Sequence, residues 1–381
     1  MSMPAVVVVG AGPVGLTAAL TLTRRGIPVT VLEQGDQLAT ESRASTFHPP
    51  TLEMLRDLGV LDALLHKGIV ASTFQYRERG GDEIATLDLA ALTQDTPFPF
   101  RVQCEQSKLT PILLDALGAA DVRFGYRVDW LLSTDDVVVL RTNRGPLRAN
   151  WVIGADGAHS AVRRALGAEF DGSTYPERFL VASVEEDLAA VLPGIAPINY
   201  VFDPDEWLVL LRTPEHWRVL LPTPMDTDDE YELRRLPERL AGVADLGRPW
   251  RVAHASLYRV HQRVTDRFRH GRVLLMGDAA HVNNPLGGMG MNSGIHDAVQ
   301  LASALADVIE GGLDALLDDV AAHRRTVAVD HVQRTSHDNW NRLRGHDDSH
   351  RAQLRELAAD PAATRAYLRR ACLLDSLEIR P

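Results

Sequence analysis

Residues 6–9 are four consecutive valines, after which the apolar positions change from a continuous run to a helical period. A short β-branched run ending at glycine predicts a buried strand. From about position 15 to 25 the apolar spacing predicts a helix, with Gly26 as its C-cap and Pro28 barring continuation. A second strand then ends at Glu33. Further on, 51–58 reads as a helix with Leu52, Leu55 and Leu58 on one face. Ser107 is placed to cap another helix through Leu117, with Leu109, Ile112 and Leu113 in phase. Residues 137–142 and 151–153 read as strands. Between about 172 and 264 the pattern shifts to short β-type runs (179–184, 207–211, 217–221) separated by proline and acidic turns, which predicts an inserted, largely antiparallel sheet. From 271 the α/β pattern returns. Residues 292–310 form a helix with Ile295, Val299, Ala302, Leu305 and Ile309 on one face, and everything after about 313 reads as helix. The chain is thus expected to hold a discontinuous first domain (1–72, 100–171 and 265–312), a second built from 73–99 and 172–264, and a helical C-terminal region (313–381).

The first strand, helix and second strand carry chemistry. Glycines 10, 12 and 15 stand between strand and helix in GAGPVG. Gly10 permits the tight turn, Gly12 lets backbone approach a pyrophosphate, and Gly15 lets helix pack on strand. The helix N-terminus, opened by Pro13 and Val14, then presents free N–H groups and a positive dipole end to the ligand's negative charge. Glu33, followed by Gln34, can accept hydrogen bonds from both ribose hydroxyls. It would repel a 2′-phosphate, which disfavours NADP in this cradle. The turn by itself does not distinguish FAD from NAD.

Composition narrows the class. A chain of 381 residues, 45% hydrophobic and 24% charged, is that of an ordinary globular protein with room for two domains. The net charge of −11 argues against nucleic-acid binding, so an anionic cofactor must be held by local dipoles and arginines. Cys104 and Cys372 are far apart, which excludes a CxxC dithiol centre and fits a reducing cytoplasm. No apolar run is long enough to span a bilayer, and no secretory signal is expected from the residues leading into Val6. His346 and His350 stand one helical turn apart, with His337 nearby. Among Arg342, Arg344, Asp347 and Asp348 they read as a charged surface, and no metal is expected.

Two further motifs complete the picture. Strand 151–153 runs into GADGAHSAVR, containing Asp156, Gly157, Ser160 and Arg163, and strand 273–276 delivers Gly277 and Asp278 in GDAAH, just before PLGGMGMN. Together with GAGPVG, these segments resemble the class A flavoprotein monooxygenases, the p-hydroxybenzoate hydroxylase-like aromatic hydroxylases, in order and spacing from residue 3 to about 310. The resemblance implies a glutathione-reductase-like, Rossmann-type FAD-binding α/β fold. By it, Gly10, Gly12, Gly15 and Glu33 would hold the ADP half of FAD, Arg43 and Gln106 would contact the pyrophosphate, ribityl chain or flavin, and Asp156 would serve the second nucleotide motif. Asp278 would bind the ribityl or ribose hydroxyls. The helix after the glycines, through the N–H groups of Met291 and Asn292, would stabilise reduced flavin, with Gly287, Gly288 and Gly290 letting backbone lie against the ring. Family members often have glutamine at the position of Met289 and glutamate at that of Thr110. The thioredoxin-like C-terminal domain of some members is not expected in 381 residues.

The same resemblance implies that NADH or NADPH reduces FAD, that O2 gives a flavin C4a-hydroperoxide, and that its terminal OH passes to an electron-rich phenol or hydroxypyridine. The carbonyl of Pro285 would face the substrate hydroxyl. Its proton must leave, and His48, five residues after Arg43, is the candidate base or substrate contact, competing with a packed structural role. His281 reads as structural. Tyr200, Trp207, Arg212 and Arg218 on the inserted strands are candidates for the substrate site, strand parity not deciding among them. Rival readings are a reductase or dehydrogenase, a flavin-dependent halogenase, and a non-enzymatic flavin- or aromatic-binding regulator. Against the halogenase, the chain has no WxWxIP segment, and its lysines are Lys67 and Lys108. Association into a dimer is compatible with the size and the helical tail.

Overall fold

The computed structural model describes residues 5–40, 44–344 and 348–377. Val6–Val9 lies near the middle of a six-stranded sheet, flanked in parallel by Val29–Leu32 and Trp151–Gly154. Val273–Leu275 extends the sheet beyond Trp151–Gly154, and Asp121–Arg123 beyond Val29–Leu32, also in parallel. All four valines are buried, as a strand covered on both faces requires. The first helix spans Pro13–Arg24, with Gly12 as N-cap and Pro13 in its first turn, where proline's missing N–H costs nothing. It starts two residues earlier than its apolar period suggested. Gly26 closes it at φ 74°, donating to the Thr23 carbonyl.

The inserted runs form an eight-stranded sheet in which all neighbours are antiparallel except Ile198–Phe202 beside Thr73–Glu78. Strict side-chain alternation gives this sheet two different faces. On one, Leu208, Leu210, Trp217 and Val219 pack under Leu236 and Leu240 of the helix Asp229–Ala241. On the other, Val209, Leu220, Tyr200 and Phe202 meet Leu343, Leu354, Tyr367 and Leu368 of the C-terminal helices. The helices Arg334–Arg344, Asp348–Ala359 and Pro361–Ala371 therefore cover part of this face of the second sheet, while Ala315–Val327 packs on the first domain through Leu317 and Ala321.

Two further element starts differ from the sequence reading. The helix Gln106–Leu117 is capped by Glu105 backbone geometry, with Ser107 inside its first turn. The long helix after the glycine turn runs Met289–Ile309 from a Gly288 N-cap in the left-handed region, three residues before Asn292. Glycine there lets the helix begin inside the turn, which an apolar-period reading does not register. No helix among the described residues is long and apolar enough to cross a membrane.

Candidate active site

The three sequence motifs meet in space. A Cβ on Gly10, whose φ is 107°, would stand 2.4 Å from the Ala155 carbonyl oxygen, and one on Gly15 would stand 2.0 Å from the Gly10 oxygen. A Cβ on Gly294 would meet Val14 at 2.7 Å and the Cα of Gly277 at 3.1 Å. The first turn is thus pressed against the second motif on one side and against the third on the other. A Cβ on Gly12 would meet nothing within 4 Å, so this glycine faces open space.

That space belongs to a cavity of about 870 Å³ running between the two sheets. Of the residues singled out in the sequence, Gly12, Pro13, Val14, Gln106, Gly157, Asp278, Pro285, Gly288, Gly290, Met291, Tyr200 and Arg218 line it. Gly10, Gly15 and Gly277 support it by packing. Glu33 ends the second strand, where its carboxylate accepts from Ala11 N at 2.8 Å and Gly35 N at 2.9 Å; Gln34 is exposed. Arg43 lies outside the described residues, as does His346.

Both helices that point at the cavity lack a side-chain cap at their N-termini. In the long helix the Gly288 N–H is taken by the Pro285 carbonyl at 3.0 Å. By helix geometry the N–H groups without an intrahelical acceptor are then those of Met289, Gly290 and Met291. Asn292 sits one place too far along for its N–H to serve a ligand. Its buried side chain instead donates to the Thr46 and Gly288 carbonyls (2.8 and 2.6 Å) and accepts from His48 N (2.9 Å) and the Thr51 hydroxyl (2.7 Å). It ties the start of the helix to residues 46–51.

His48 is corrected in the same way. It is fully buried, does not line the cavity, and reaches the Gly287 carbonyl through Nε2 at 2.9 Å. A carbonyl only accepts, so Nε2 carries the proton. Burial above all, then the nearby Arg101 charge, pulls the His48 pKa well below its usual value. His296 behaves likewise: Thr51 gives its proton to Asn292, so His296 Nε2 at 3.0 Å donates to the Thr51 oxygen, and burial lowers its pKa to about 3. Both histidines are neutral in the fold and protonate readily only when it opens. Above the ordinary histidine pKa of about 6.5 they leave stability unchanged; as pH falls below it, stability drops by about 1.4 kcal/mol per pH unit for each. Denaturant unfolding between pH 7 and 4 should show this slope, and His296→Asn should flatten it.

Strand parity separates the other candidates. Arg218 pairs across from Leu211, and Val209 across from Leu220, on the cavity face. Arg212 pairs with Trp217 on the opposite face and lies over its ring, 5.9 Å from the centroid, so it does not reach the cavity. Trp207 is likewise buried away from it, edge-on to Phe179. Burial lowers the Arg218 pKa, with Tyr258 and Glu105 opposing. The Asp156 carboxylate turns away from the cavity to the helix Ala161–Ala165, accepting from Ser160 Oγ (2.5 Å) and Ala161 N (2.7 Å).

His281 is structural, as its sequence reading has it. With Arg324 it brackets the fully buried Asp297: His281 Nε2 lies 2.8 Å from one carboxylate oxygen and Arg324 Nε 2.7 Å from the other, while Gly277 N donates at 3.1 Å. Burial raises the Asp297 pKa, but Arg324 and His281 outweigh it and keep the carboxyl ionised. His337 bonds the Tyr175 hydroxyl at 3.1 Å and stacks on Trp340.

Several lining residues carry no role in the sequence reading. Arg163, Arg259 and Arg263 give one part of the cavity a cationic wall within an acidic protein, with His159 and His261 beside them, and Arg101 lines another part. Arg163 is locked by the Ala279 and Ala158 carbonyls, both at 2.8 Å, with its guanidinium 3.7 Å from the Phe170 ring centroid. The available sequence signal is the alternation in YRVHQRV, which puts basic side chains on one face of a strand.

The comparisons agree with this geometry. The family model described as FAD binding domain matches residues 3–335. The chain is 36% identical to a para-nitrophenol 4-monooxygenase of Pseudomonas sp. strain WBC-3, over 96% of this chain and 95% of that one. It is 35% identical to the 6-hydroxy-3-succinoylpyridine 3-monooxygenase of Pseudomonas putida, over 89% and 88%. The crystal structure of p-nitrophenol 4-monooxygenase from Pseudomonas putida DLL-E4 superposes with a TM-score of 0.93 at 34% identity, covering 100% of this chain and 99% of that one. Aklavinone-11 hydroxylase, in a ternary complex with FAD and aklavinone, superposes at 0.81 with 28% identity, covering 90% and 70%. The chain belongs to the FAD-binding-domain family, among the class A flavin-dependent aromatic hydroxylases.

Proposed function

We propose that this monooxygenase hydroxylates a small phenol or hydroxypyridine, using NADH or NADPH and O2. The observation that carries the reading is one cavity bounded at one end by two side-chain-uncapped helix N-termini and at the other by Tyr200, Leu220 and Arg218. The residues present fit FAD. The Gly12–Pro13–Val14 turn would receive the pyrophosphate. Glu33, with two of its roughly four lone-pair sites used by Ala11 and Gly35, keeps acceptors for ribose hydroxyls. Asp278, Gln106 and Arg43 would reach the ribityl and pyrophosphate region, and the Met289, Gly290 and Met291 N–H groups the pyrimidine edge. When bound, the flavin supplies the oxygen chemistry.

The protein's part is to orient the ring and exclude water. His48 and Asn292 act as positioning residues: they fix the Gly287 and Gly288 carbonyls and so the turn carrying Pro285, whose own carbonyl already accepts from Gly288 N. In this reading the cofactor unit is the discontinuous one (1–72, 100–171, 265–312), and the eight-stranded sheet supplies the substrate wall. Cys104 and Cys372, free and buried, support a reducing, cytoplasmic setting.

The test is NAD(P)H consumption by the FAD-loaded protein across phenols, hydroxybenzoates, hydroxypyridines and quinolones. We expect one class to stimulate oxidation and to yield hydroxylated product in near-equal amount. Oxidation that no aromatic stimulates, or that gives only peroxide with all of them, would overturn the reading.

A further inference from the structure

Among the described residues, Leu373 is the one non-glycine residue in the left-handed region, at φ 63°. It follows the helix Pro361–Ala371 and its C-cap Cys372. The chain turns there in a Schellman motif: Leu373 N donates to the Arg370 carbonyl at 3.1 Å and Leu374 N to the Arg369 carbonyl at 2.9 Å. Glycine is the usual residue at that position, because in the left-handed conformation any Cβ crowds the carbonyl that follows it. A leucine persists there only where its surroundings fix it. Its side chain is buried in a small apolar cluster with Met289, Val327 and Val332, separate from the larger cores. Val332 lies in a second irregular feature, the π-helical turn Ala328–Gln333, a geometry that is rare and concentrates at functional sites. Two uncommon backbone conformations thus bring apolar side chains against Met289. That residue opens the long helix, lines the cavity, and folds under the glycine turn, where a Cβ on Gly287 would stand 3.2 Å from its Cε.

We propose that Leu373 is a positioning residue for the flavin: its side chain wedges Met289 and so aims the N–H groups of Met289, Gly290 and Met291 into the cavity. The end of the C-terminal helix Pro361–Ala371 is then part of the cofactor site, although it touches no cofactor. The proposal rests on the placement of the flavin's pyrimidine edge at this helix start. That start has no side-chain cap, so packing beneath Met289 must complete what the Asn292 side chain begins. A helix N-terminus favours negative charge, and reduced flavin carries more of it than oxidised flavin, so a helix start held in line binds the reduced form more tightly. Glycine at 373 would complete the Schellman turn with less strain and leave Met289 unsupported. Leucine does the reverse.

The experiment compares Leu373→Gly, Met289→Ala and the double variant in three quantities: the FAD dissociation constant, the midpoint potential of bound FAD, and the unfolding midpoint. Leu240→Ala, which trims a buried leucine on the far face of the eight-stranded sheet, is the control. Leu373→Gly keeps the helix end. It should weaken FAD binding about fivefold and lower the preference for reduced over oxidised FAD about threefold, read as a more negative potential. Met289→Ala should act in the same direction, and the double variant should match Met289→Ala within about twofold, because residues that act through one contact are not additive. Leu240→Ala should lose stability and leave the potential unchanged. A folded Leu373→Gly protein with wild-type FAD affinity and potential overturns the proposal, as do effects of the two substitutions that multiply in the double variant. If Leu373→Gly does not fold, Val332→Ala trims the same cluster from the π-helical side and carries the same expectations. A potential that Met289→Ala moves and Leu373→Gly does not counts against the proposal alone, whereas a potential that neither moves removes the flavin from this helix start and the proposal with it.

Discussion

Replacing Asp297 with asparagine should lower the stability of the protein by about 3–5 kcal/mol, the cost of leaving a buried charge uncompensated. Arg324 is fully buried, and its only charged partner among the described residues is Asp297. Asparagine keeps the shape and one acceptor but cannot neutralise the guanidinium. The contrasting case is Arg25 with Glu310, an ion pair at 2.6 Å whose side chains are 37% and 48% exposed. Its distance is as short, yet water screens both charges, and Glu310→Gln should leave stability essentially unchanged. Denaturant unfolding of both variants reads the difference. The Asp297 carboxylate also holds the Gly277 N–H, so the variant should release FAD more easily. Equal, small effects from the two substitutions would show that the buried network does not anchor the Asp278 loop.

A second pair of substitutions separates folding from cofactor binding. Gly10→Ala places a methyl 2.4 Å from the Ala155 oxygen at a φ of 107°, which an L side chain rarely adopts. The first and second motifs must then move apart, and we expect FAD affinity to fall by about two orders of magnitude together with a loss of stability. Gly12→Ala meets no protein atom within 4 Å. Its stability should change by about 1 kcal/mol or less, the cost of alanine at a helix N-cap, yet it should purify with little flavin because the methyl occupies space the pyrophosphate needs. Flavin content and unfolding midpoints of both proteins check this. Normal flavin content in Gly12→Ala would remove the pyrophosphate from that turn.

What could be read from the chain, and what could not, follows from the range of the forces involved. The valine strand, the first helix and the glycine turns are local, written in consecutive residues, and they stand where the sequence places them. The inserted sheet was legible as a texture of short β-type runs, but its face was not. Arg212 and Arg218 look alike in the sequence, and only the pairing of Leu211 with Arg218 and of Arg212 with Trp217 decides which one meets the cavity. His48 looked like a substrate base because it stands five residues after Arg43, and Asn292 like a flavin contact because it follows the glycine-rich turn. They are instead each other's partners across more than two hundred residues of chain, a contact no local pattern encodes. Arg101 was passed over because a lone arginine between Phe100 and Val102 reads as an ordinary strand residue. Its place in the cavity wall appears only in the fold.

The central claim is that one cavity holds the flavin at the convergence of three turns and opens beside it onto an aromatic, cation-bearing chamber. A crystal structure of the protein loaded with FAD and 4-nitrophenol tests this most directly. The account predicts the pyrophosphate at Gly12, the flavin ring against the turn of Pro285, Gly288 and Met291, and the aromatic ligand beside Tyr200, Leu220 and Arg218. Flavin density elsewhere, or a ligand bound on the Arg212 face of the sheet, would contradict it.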